Sequence, residues 1–479
     1  MKAFLFNPPG TKFQRGEDRC QADVEAGATV TLRPPNDLGY LAALLRAEGW
    51  EVRLRDYPAR GEGAQTLWSE AESFGPDLAL LSTTVGSLPA DAAVLAEFKR
   101  RLPGTFLAAK GAPFSVYTDE FFGTPAYRGL DAGIRGEAEA VVPGLARALS
   151  AGGPLESVDG IMLRRGERMI ARGEPGLVAD LDRLPYPDRS LMDNRLYTLP
   201  SGRPLATVQT ARGCPCSCSF CLTPVLSGSK LRSRGRENIL GELEECVRRF
   251  GIGDFFFRAD TFTLDREFVI GLCRGIVASG LKVRWVANSR VDTLDAEMLA
   301  WMRRAGCWLV ALGLESGSDR TLARAGKGTT TGQGRRAVAL ARAAGLKTLG
   351  FFMIGFPWET ESAIRATMAY ALEVDCDFAE VHIAVPYPGT ALFREAAAAG
   401  LISTPEPGYD YFLAPPAGTE HLARERLSAL RTEFLRKLYC RPSYVVRTLA
   451  GIRNWREGRE YLVRGCRILG AAGRSRRPG

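Results

Sequence analysis

Cys214, Cys218 and Cys221 stand in the run Cys214-Pro215-Cys216-Ser217-Cys218-Ser219-Phe220-Cys221, a C-x3-C-x2-C spacing on one short stretch of chain. Thiolates are the favoured ligands of iron-sulfur clusters, and three of them on one loop can hold a four-iron cluster while leaving one iron open to a ligand of substrate type. Two other readings stay open on the residues alone. One is a structural zinc on four cysteines, Cys216 included, although zinc sites usually join two C-x2-C hooks and the chain has no second hook. The other is a set of unrelated thiols on a turn. Only two histidines exist, His382 and His421, so a multi-histidine zinc or iron site is ruled out and metal chemistry falls to cysteine or carboxylate. Of the eleven cysteines, those outside this run are scattered singly, which suits a reducing compartment and one metal site better than a disulfide framework.

The elements that position this loop follow from the alternation of short apolar runs with helical patterns. In residues 1–150, Lys2 to Phe6, Trp50 to Arg55, Leu78 to Ser82 and Thr105 to Ala109 read as strands. Leu38, Leu41, Ala42 and Leu45 recur at helical spacing before the stop at Gly49, and Ala90 to Leu102 reads likewise. Such alternation predicts an α/β fold with a doubly wound parallel sheet, which takes ligands beyond the carboxyl ends of its strands. Asn7-Pro8-Pro9, Ser82-Thr83-Thr84 and Gly111 fall there, with ordinary turn chemistry as the alternative for each. Residues 151–204 are rich in Gly, Pro and charge and read as a connector with a small hairpin. In 205–400, strands are expected near Leu205 to Thr210, Asp254 to Phe257, Lys282 to Ala287, Trp308 to Leu312, Thr348 to Met353 and Glu380 to Val385. Six strand-helix units are too few for an eightfold barrel but enough for a partial (β/α)6 barrel with its site at the strand carboxyl ends. Residues 401–479 form a C-terminal helical region, in which Glu420 to Tyr439 reads as an amphipathic helix ahead of an Arg-rich tail.

A chain of 479 residues with 46% hydrophobic and 24% charged residues holds two or three folded domains and is not disordered over most of its length. Its net charge of +9 is carried almost wholly by the end: residues 441–479 contain ten Arg and two Glu. That basic tail is either solvated helix surface or a patch for anionic lipid or substrate. Nucleic acid is not expected, because aromatics are not interleaved with these arginines as single-strand readers require. No run of 18 apolar residues appears, and Met1 to Phe6 is too short for a signal-peptide core, so a cytoplasmic protein is expected.

Cys214-x3-Cys218-x-Phe220-Cys221, preceded by Thr210-Ala211-Arg212-Gly213 at a strand end, resembles the signature of the radical S-adenosylmethionine (SAM) enzymes. The resemblance implies a [4Fe-4S] cluster on Cys214, Cys218 and Cys221, with Cys216 outside the ligand set. It also implies SAM on the open iron, cleaved to a 5′-deoxyadenosyl radical. Phe220 would lie by the adenine. Leu312 to Gly317 resembles the fourth-strand segment whose carboxylate, here Glu315, bonds the ribose. Asn288-Ser289-Arg290 resembles the third-strand end, and Gly350 to Glu359, with Gly355-Phe356-Pro357, the fifth-strand segment. After the second strand, where relatives often carry paired acids, Arg258-Ala259-Asp260 leaves Asp260 alone to serve.

The first 150 residues resemble the cobalamin-binding domain that precedes the radical domain in one large subfamily. The matching pieces are Pro34-Pro35 to Tyr40-Leu41-Ala42-Ala43 with Gly49-Trp50-Glu51-Val52, then Ser82-Thr83-Thr84, then Gly136-Glu137-Ala138-Glu139. Ser82, Thr83, Gly111 and Glu137 are the cobalamin contacts this implies, although Lys110-Gly111-Ala112-Pro113 departs from the two-glycine turn of relatives. Pro386 to Thr390 and Tyr439-Cys440-Arg441-Pro442 also look like this subfamily. The resemblance therefore implies a cobalamin-dependent radical SAM enzyme, most simply a methyltransferase acting on an unactivated carbon of a small molecule, lipid or natural-product intermediate. An electron donor such as flavodoxin or ferredoxin would serve it. A cyclase or oxidoreductase with the same cofactors, or a non-catalytic cluster- or corrinoid-binding protein, are the alternatives. No catalytic residue is assigned. With no histidine before His382, cobalamin is expected to bind without histidine ligation, its own base displaced.

Overall fold

The computed structural model describes residues 1–15, 24, 31–402, 417–452 and 454–474, with side chains as far as 466. Strands β1 (Lys2–Asn7), β2 (Glu51–Asp56), β3 (Leu78–Ser82), β4 (Phe106–Lys110) and β5 (Ala132–Ile134) run parallel in the order β2-β1-β3-β4-β5. The order reverses between β1 and β3, which makes a crevice at their carboxyl ends. The central strand β3 is buried along its whole length, as a continuous apolar run in a sheet covered on both faces must be. Phe4, Phe6, Trp68 and Phe98 fill one side and Leu5, Leu41, Leu80 and Val142 the other. Strand β5, only Ala132-Gly133-Ile134, was not expected from the sequence, since three residues carry no periodicity. The hairpin expected in the connector is present as β6 (Ile161–Arg165) and β7 (Arg168–Arg172). It pairs antiparallel with β5 and so extends the first sheet to seven strands.

The second sheet begins with β8 (Leu205–Gln209). A two-stranded antiparallel ribbon, β9 (Ala211–Arg212) and β10 (Arg232–Ser233), brackets the cysteine loop. Then come β11 (Asp254–Arg258), β12 (Arg284–Ser289), β13 (Cys307–Glu315), β14 (Lys347–Ile354) and β15 (Phe378–Ile383). The order β8-β11-β12-β13-β14-β15 is parallel throughout, each strand beside its successor, with β8 and β15 at opposite edges. This is the open partial barrel that the alternation predicts. Its helices start where side chains cap them: Asp265 accepts from the Phe268 N–H, Asp295 from the Met298 N–H, and Thr330 forms a capping box with Gln333. Each such cap contributes about 1 kcal/mol. Inside, Phe257 stacks on Trp285 with ring centroids 4.5 Å apart.

The C-terminal helix Arg424–Tyr439 lays Leu427, Leu430, Phe434 and Leu438 into the barrel core. It begins at 424 rather than 420, because the preceding turn is spent on the barrel: the Thr419 hydroxyl donates to the Glu359 carbonyl and the Glu420 N–H to the Pro357 carbonyl. Helices Pro442–Gly451 and Trp455–Arg474 follow. Segment 403–416 and the end of the basic tail, 475–479, lie outside the described residues. The two halves share one core, in which Leu222, Leu226, Val385 and Tyr387 of the barrel side pack with Phe114 and Val116.

Candidate active site

Gly213, where the chain leaves β9, has φ +81°, and a Cβ there would lie 2.2 Å from the Lys230 carbonyl oxygen, so only glycine passes. Its N–H donates to Asp260 Oδ2 at 2.7 Å, and the Thr223 hydroxyl donates to Asp260 Oδ1 at 3.1 Å. One carboxylate thus pins both ends of the cysteine loop. Asp260, expected among the SAM contacts, has this bracing role, which its place in the sequence does not reveal. Within the loop the Cys221 N–H donates to the Cys218 carbonyl at 3.1 Å and the Ser219 N–H to the Ala325 carbonyl at 2.9 Å. Cys214 Sγ lies 3.8 Å from Thr261 Oγ1, and Cys221 Sγ lies 3.3 Å from Thr223 Oγ1. Among the described residues no three Cys, His, Asp or Glu side chains are already gathered as a metal site. The donor set nevertheless fits an iron-sulfur cluster: three thiols on one braced loop, with cationic neighbours. Burial pushes the Cys218 thiol up, while Lys327 and Arg290 pull it down.

Glu315 closes β13 with φ +58°, in the left-handed region that non-glycine residues rarely enter. The register between β13 and β14 shifts between Gly313 and Glu315, and this bulge turns the carboxylate onto Lys327. Nζ stands 2.7 Å from Oε1, with both side chains buried. A Cβ on Gly313 would lie 2.6 Å from each of those two atoms, so the bulge also requires that glycine. Burial works against the Lys327 charge, and Glu315 and Cys218 outweigh it, raising its pKa. Arg290 binds Asp292 through two bonds of 2.9 Å and donates to the Lys327 carbonyl at 2.8 Å. Cys218, Lys327, Arg290 and Glu315 therefore converge. Sequence reasoning missed Lys327. Its signal was the pair of positive-φ glycines, Gly326 and Gly328, on either side of it.

Gly355, with φ +85°, ends β14 in a turn held by Glu359. The N–H groups of Gly355 and Phe356 both donate to Glu359 Oε2, at 2.7 and 3.2 Å. Phe220 packs edge-on against Phe356, centroids 5.9 Å apart, and Phe356 stacks on Trp358 at 5.2 Å. Glu359 Oε1 is buried without a partner. Burial pushes this carboxyl up to about 7, against the two N–H bonds that favour its charged form.

On the first sheet, the Ser82 hydroxyl and Lys110 Nζ both reach Asp37 Oδ2, at 3.0 and 2.5 Å, and the Thr83 hydroxyl donates to Asp91 at 2.6 Å. Gly111 has φ +135°, and a Cβ there would lie 2.0 Å from the Thr83 carbonyl oxygen. A cleft of about 690 Å³, open solvent included, runs between this end of the sheet and the barrel, with Asn36, Asp37, Lys110, Gly111, Gln209, Arg258 and Asp260 on its walls, whereas Ser82 and Thr83 are buried and do not line it. Asn36 Oδ1 and Asp37 Oδ1 are buried acceptors without partners, a fit for a ligand rich in N–H donors such as the amides around a corrin ring. Glu137, expected to touch cobalamin, lines the same cleft but is engaged across the domain boundary. It takes Arg232 at 2.7 and 2.9 Å and the Val178 N–H at 2.7 Å, while Glu139 takes Arg212 at 2.7 Å. All four charged side chains are buried to within 11% of exposure. Arg212 and Arg232 are the two facing residues of the ribbon that brackets the cysteines. His382 bonds Glu380 at 3.0 Å on β15, far in the chain from the first sheet.

Residues 208–371 match the family model described as the radical SAM superfamily, and residues 30–146 match the B12 binding domain. An uncharacterized methyltransferase of Pyrococcus horikoshii is 32% identical over 421 residues, which cover 88% of this chain and 90% of that one. The anaerobic magnesium-protoporphyrin IX monomethyl ester cyclase of Cereibacter sphaeroides is 30% identical over 274 residues, 56% of this chain and 44% of that one. The radical SAM methyltransferase TsrM from Kitasatospora setae, solved with cobalamin and a [4Fe-4S] cluster bound, superposes with a TM-score of 0.70 at 17% identity, covering 99% of this chain and 100% of that one, and so has the same fold. With the two domain matches falling in order on the sheet and the barrel, and a relative matched along most of both chains, the chain belongs to the radical SAM superfamily, among the members that carry a B12-binding domain ahead of the radical domain.

Proposed function

We infer that this cobalamin-dependent radical SAM enzyme is a methyltransferase that places a methyl group on an unactivated carbon of a small molecule, lipid or natural-product intermediate. The observation that carries the reading is the shared cleft, walled by the carboxyl edge of the first sheet on one side and by the cysteine loop's brace on the other. When bound, the cluster and SAM supply a radical that removes a hydrogen atom, and cobalamin supplies the methyl group.

The chain's own residues divide the remaining work. Cys214, Cys218 and Cys221 hold the cluster on a loop that Asp260 keeps in place. Phe220 and the Gly355 turn flank the adenine, Glu315 accepts from the ribose, and Lys327 sets the direction of that carboxylate. Arg290 adds positive charge beside the thiols. Ser82, Thr83 and Gly111 shape the corrinoid edge, where Asn36 and Asp37 offer acceptors, and Glu137 acts there as a strap. An electron donor such as flavodoxin or ferredoxin completes the cycle. A reducing setting such as the cytoplasm is where the thiols of the cysteine loop stay available as ligands.

Ring closure or oxidation with the same cofactors is the second reading, favoured by the likeness to the cyclase. Anaerobic reconstitution with iron, sulfide and hydroxocobalamin tests the cofactor set. Stoichiometric cobalamin and reductant-dependent release of 5′-deoxyadenosine from SAM are expected. Protein that binds both cofactors yet releases no 5′-deoxyadenosine, with substrate candidates present, would be an accessory protein instead.

A further inference from the structure

The C-terminal helices present a surface that lies outside the cleft lining. Among the described residues, the four most exposed large apolar side chains all lie there: Trp455 at 81%, Leu462 at 68%, Val446 at 66% and Leu449 at 63%. Elsewhere such side chains are buried or scattered singly. Val446 and Leu449 are three residues apart and share a face of Pro442–Gly451. Trp455 and Leu462 are seven apart, two turns along one stripe of Trp455–Arg474, which exposed Cys466 continues. The inner face of Pro442–Gly451 is already committed. Arg441 and Arg447 pair with Asp375, and Tyr444 packs edge-on against Tyr439.

Charge accompanies this apolar stripe. Arg456 and Arg459 flank Trp455 and Leu462 and are exposed, with Glu457 and Glu460 beside them, so the excess of positive charge belongs to the C-terminal segment as a whole. Residues 441–479 hold ten Arg, two Glu and neither Lys nor Asp. A helix with Trp and Leu on one face, arginine beside them and too little apolar length to span is the composition of an element that lies in a membrane interface. No described helix is long and apolar enough to cross a membrane. A second copy of this chain is a poor occupant, because a two-fold contact would bring together two C-terminal segments that each hold ten Arg against two Glu.

We propose that helices Pro442–Gly451 and Trp455–Arg474 form a docking surface for the anionic headgroups of a phospholipid bilayer, with Trp455 and Leu462 inserted at the headgroup level and Arg456 and Arg459 on lipid phosphates. The proposal does not depend on which reaction the cleft performs.

The test is co-sedimentation of the full-length holoenzyme with phosphatidylcholine vesicles, with and without phosphatidylglycerol. Binding is expected only with phosphatidylglycerol, weakening as salt is raised. Trp455→Ser with Leu462→Ser should lower the partition coefficient at least about tenfold, and Arg456→Gln with Arg459→Gln about 25-fold, at about fivefold for each arginine lost. As a check independent of the sedimentation variants, brominated phosphatidylglycerol should quench tryptophan emission in the parent protein and not in Trp455→Phe. Equal binding to both vesicle types, no binding to either, or binding that survives both double variants would overturn the proposal. So would a dimer in solution dissolved by Trp455→Ser with Leu462→Ser, or a preference for RNA over vesicles.

Discussion

Cysteine ligation is the residue-level feature most open to reading in the sequence, because all three thiols lie within one loop and their spacing is itself the signal. Replacing Cys214, Cys218 or Cys221 by Ala should abolish the cluster's visible absorption and SAM cleavage, whereas Cys216→Ala should keep both; loss confined to the Cys216 variant would reverse the assignment. The bracing role of Asp260 was hidden, since its partner Gly213 is 47 residues away, and Lys327 was missed because its pairing depends on the bulge that turns Glu315 toward it. Glu359 carries a second residue-level consequence. Its carboxyl value is raised from 4.5 to about 7, so the folded protein keeps a proton that the unfolded chain has already lost. That contribution to stability is full below about pH 4.5 and disappears as pH rises through 7, about 3 kcal/mol in all. Glu359→Gln, which places an amide where the protonated acid stood, should flatten this dependence. Urea unfolding at roughly pH 6 and pH 8 checks it, and an unchanged slope in the variant would contradict the buried-proton account.

Strands with clear apolar runs were readable to within a few residues, and their alternation with helices gave both sheets. Ala132–Ile134 was too short to register, and the start at Arg424 depended on the strap formed by Thr419 and Glu420. Buried charge between elements was also unreadable. Glu242, on helix Arg236–Phe250, accepts from Arg189 of the connector and Arg234 at the end of the ribbon, each at 2.5 Å, with all three side chains at most 3% exposed. Nothing in the spacing of three such scattered residues marks them as a triad. The arrangement joins connector, ribbon and barrel helix, and both arginines hold the Glu242 carboxyl below its usual range against the effect of burial. Glu242→Gln should leave two guanidinium groups buried without a counter-charge and cost about 3–5 kcal/mol, seen as a lower urea midpoint with little change in slope. A loss under about 1 kcal/mol would mean that water or rearrangement satisfies the arginines.

The two domains are joined where their ligands would meet. Glu137 and Glu139 open the last helix of the first sheet, and their partners Arg212 and Arg232 hold the base of the cysteine loop. The family resemblance implied two cofactor domains but not this coupling, because the four residues come from two distant segments. Arg232→Gln should leave cobalamin and cluster content intact while raising the ratio of 5′-deoxyadenosine to product several-fold, since hydrogen abstraction and methyl delivery would lose their common frame. An unchanged ratio would reduce the strap to a structural tie. The central claim, methyl transfer rather than ring closure or oxidation, is tested most directly by anaerobic turnover with SAM bearing a deuterated methyl group, read by mass spectrometry of candidate acceptors. The account predicts 5′-deoxyadenosine together with an acceptor in which one hydrogen has been replaced by an intact trideuteromethyl group. 5′-Deoxyadenosine formed alongside an acceptor that has only lost hydrogen or closed a ring, with no label gained, would contradict it.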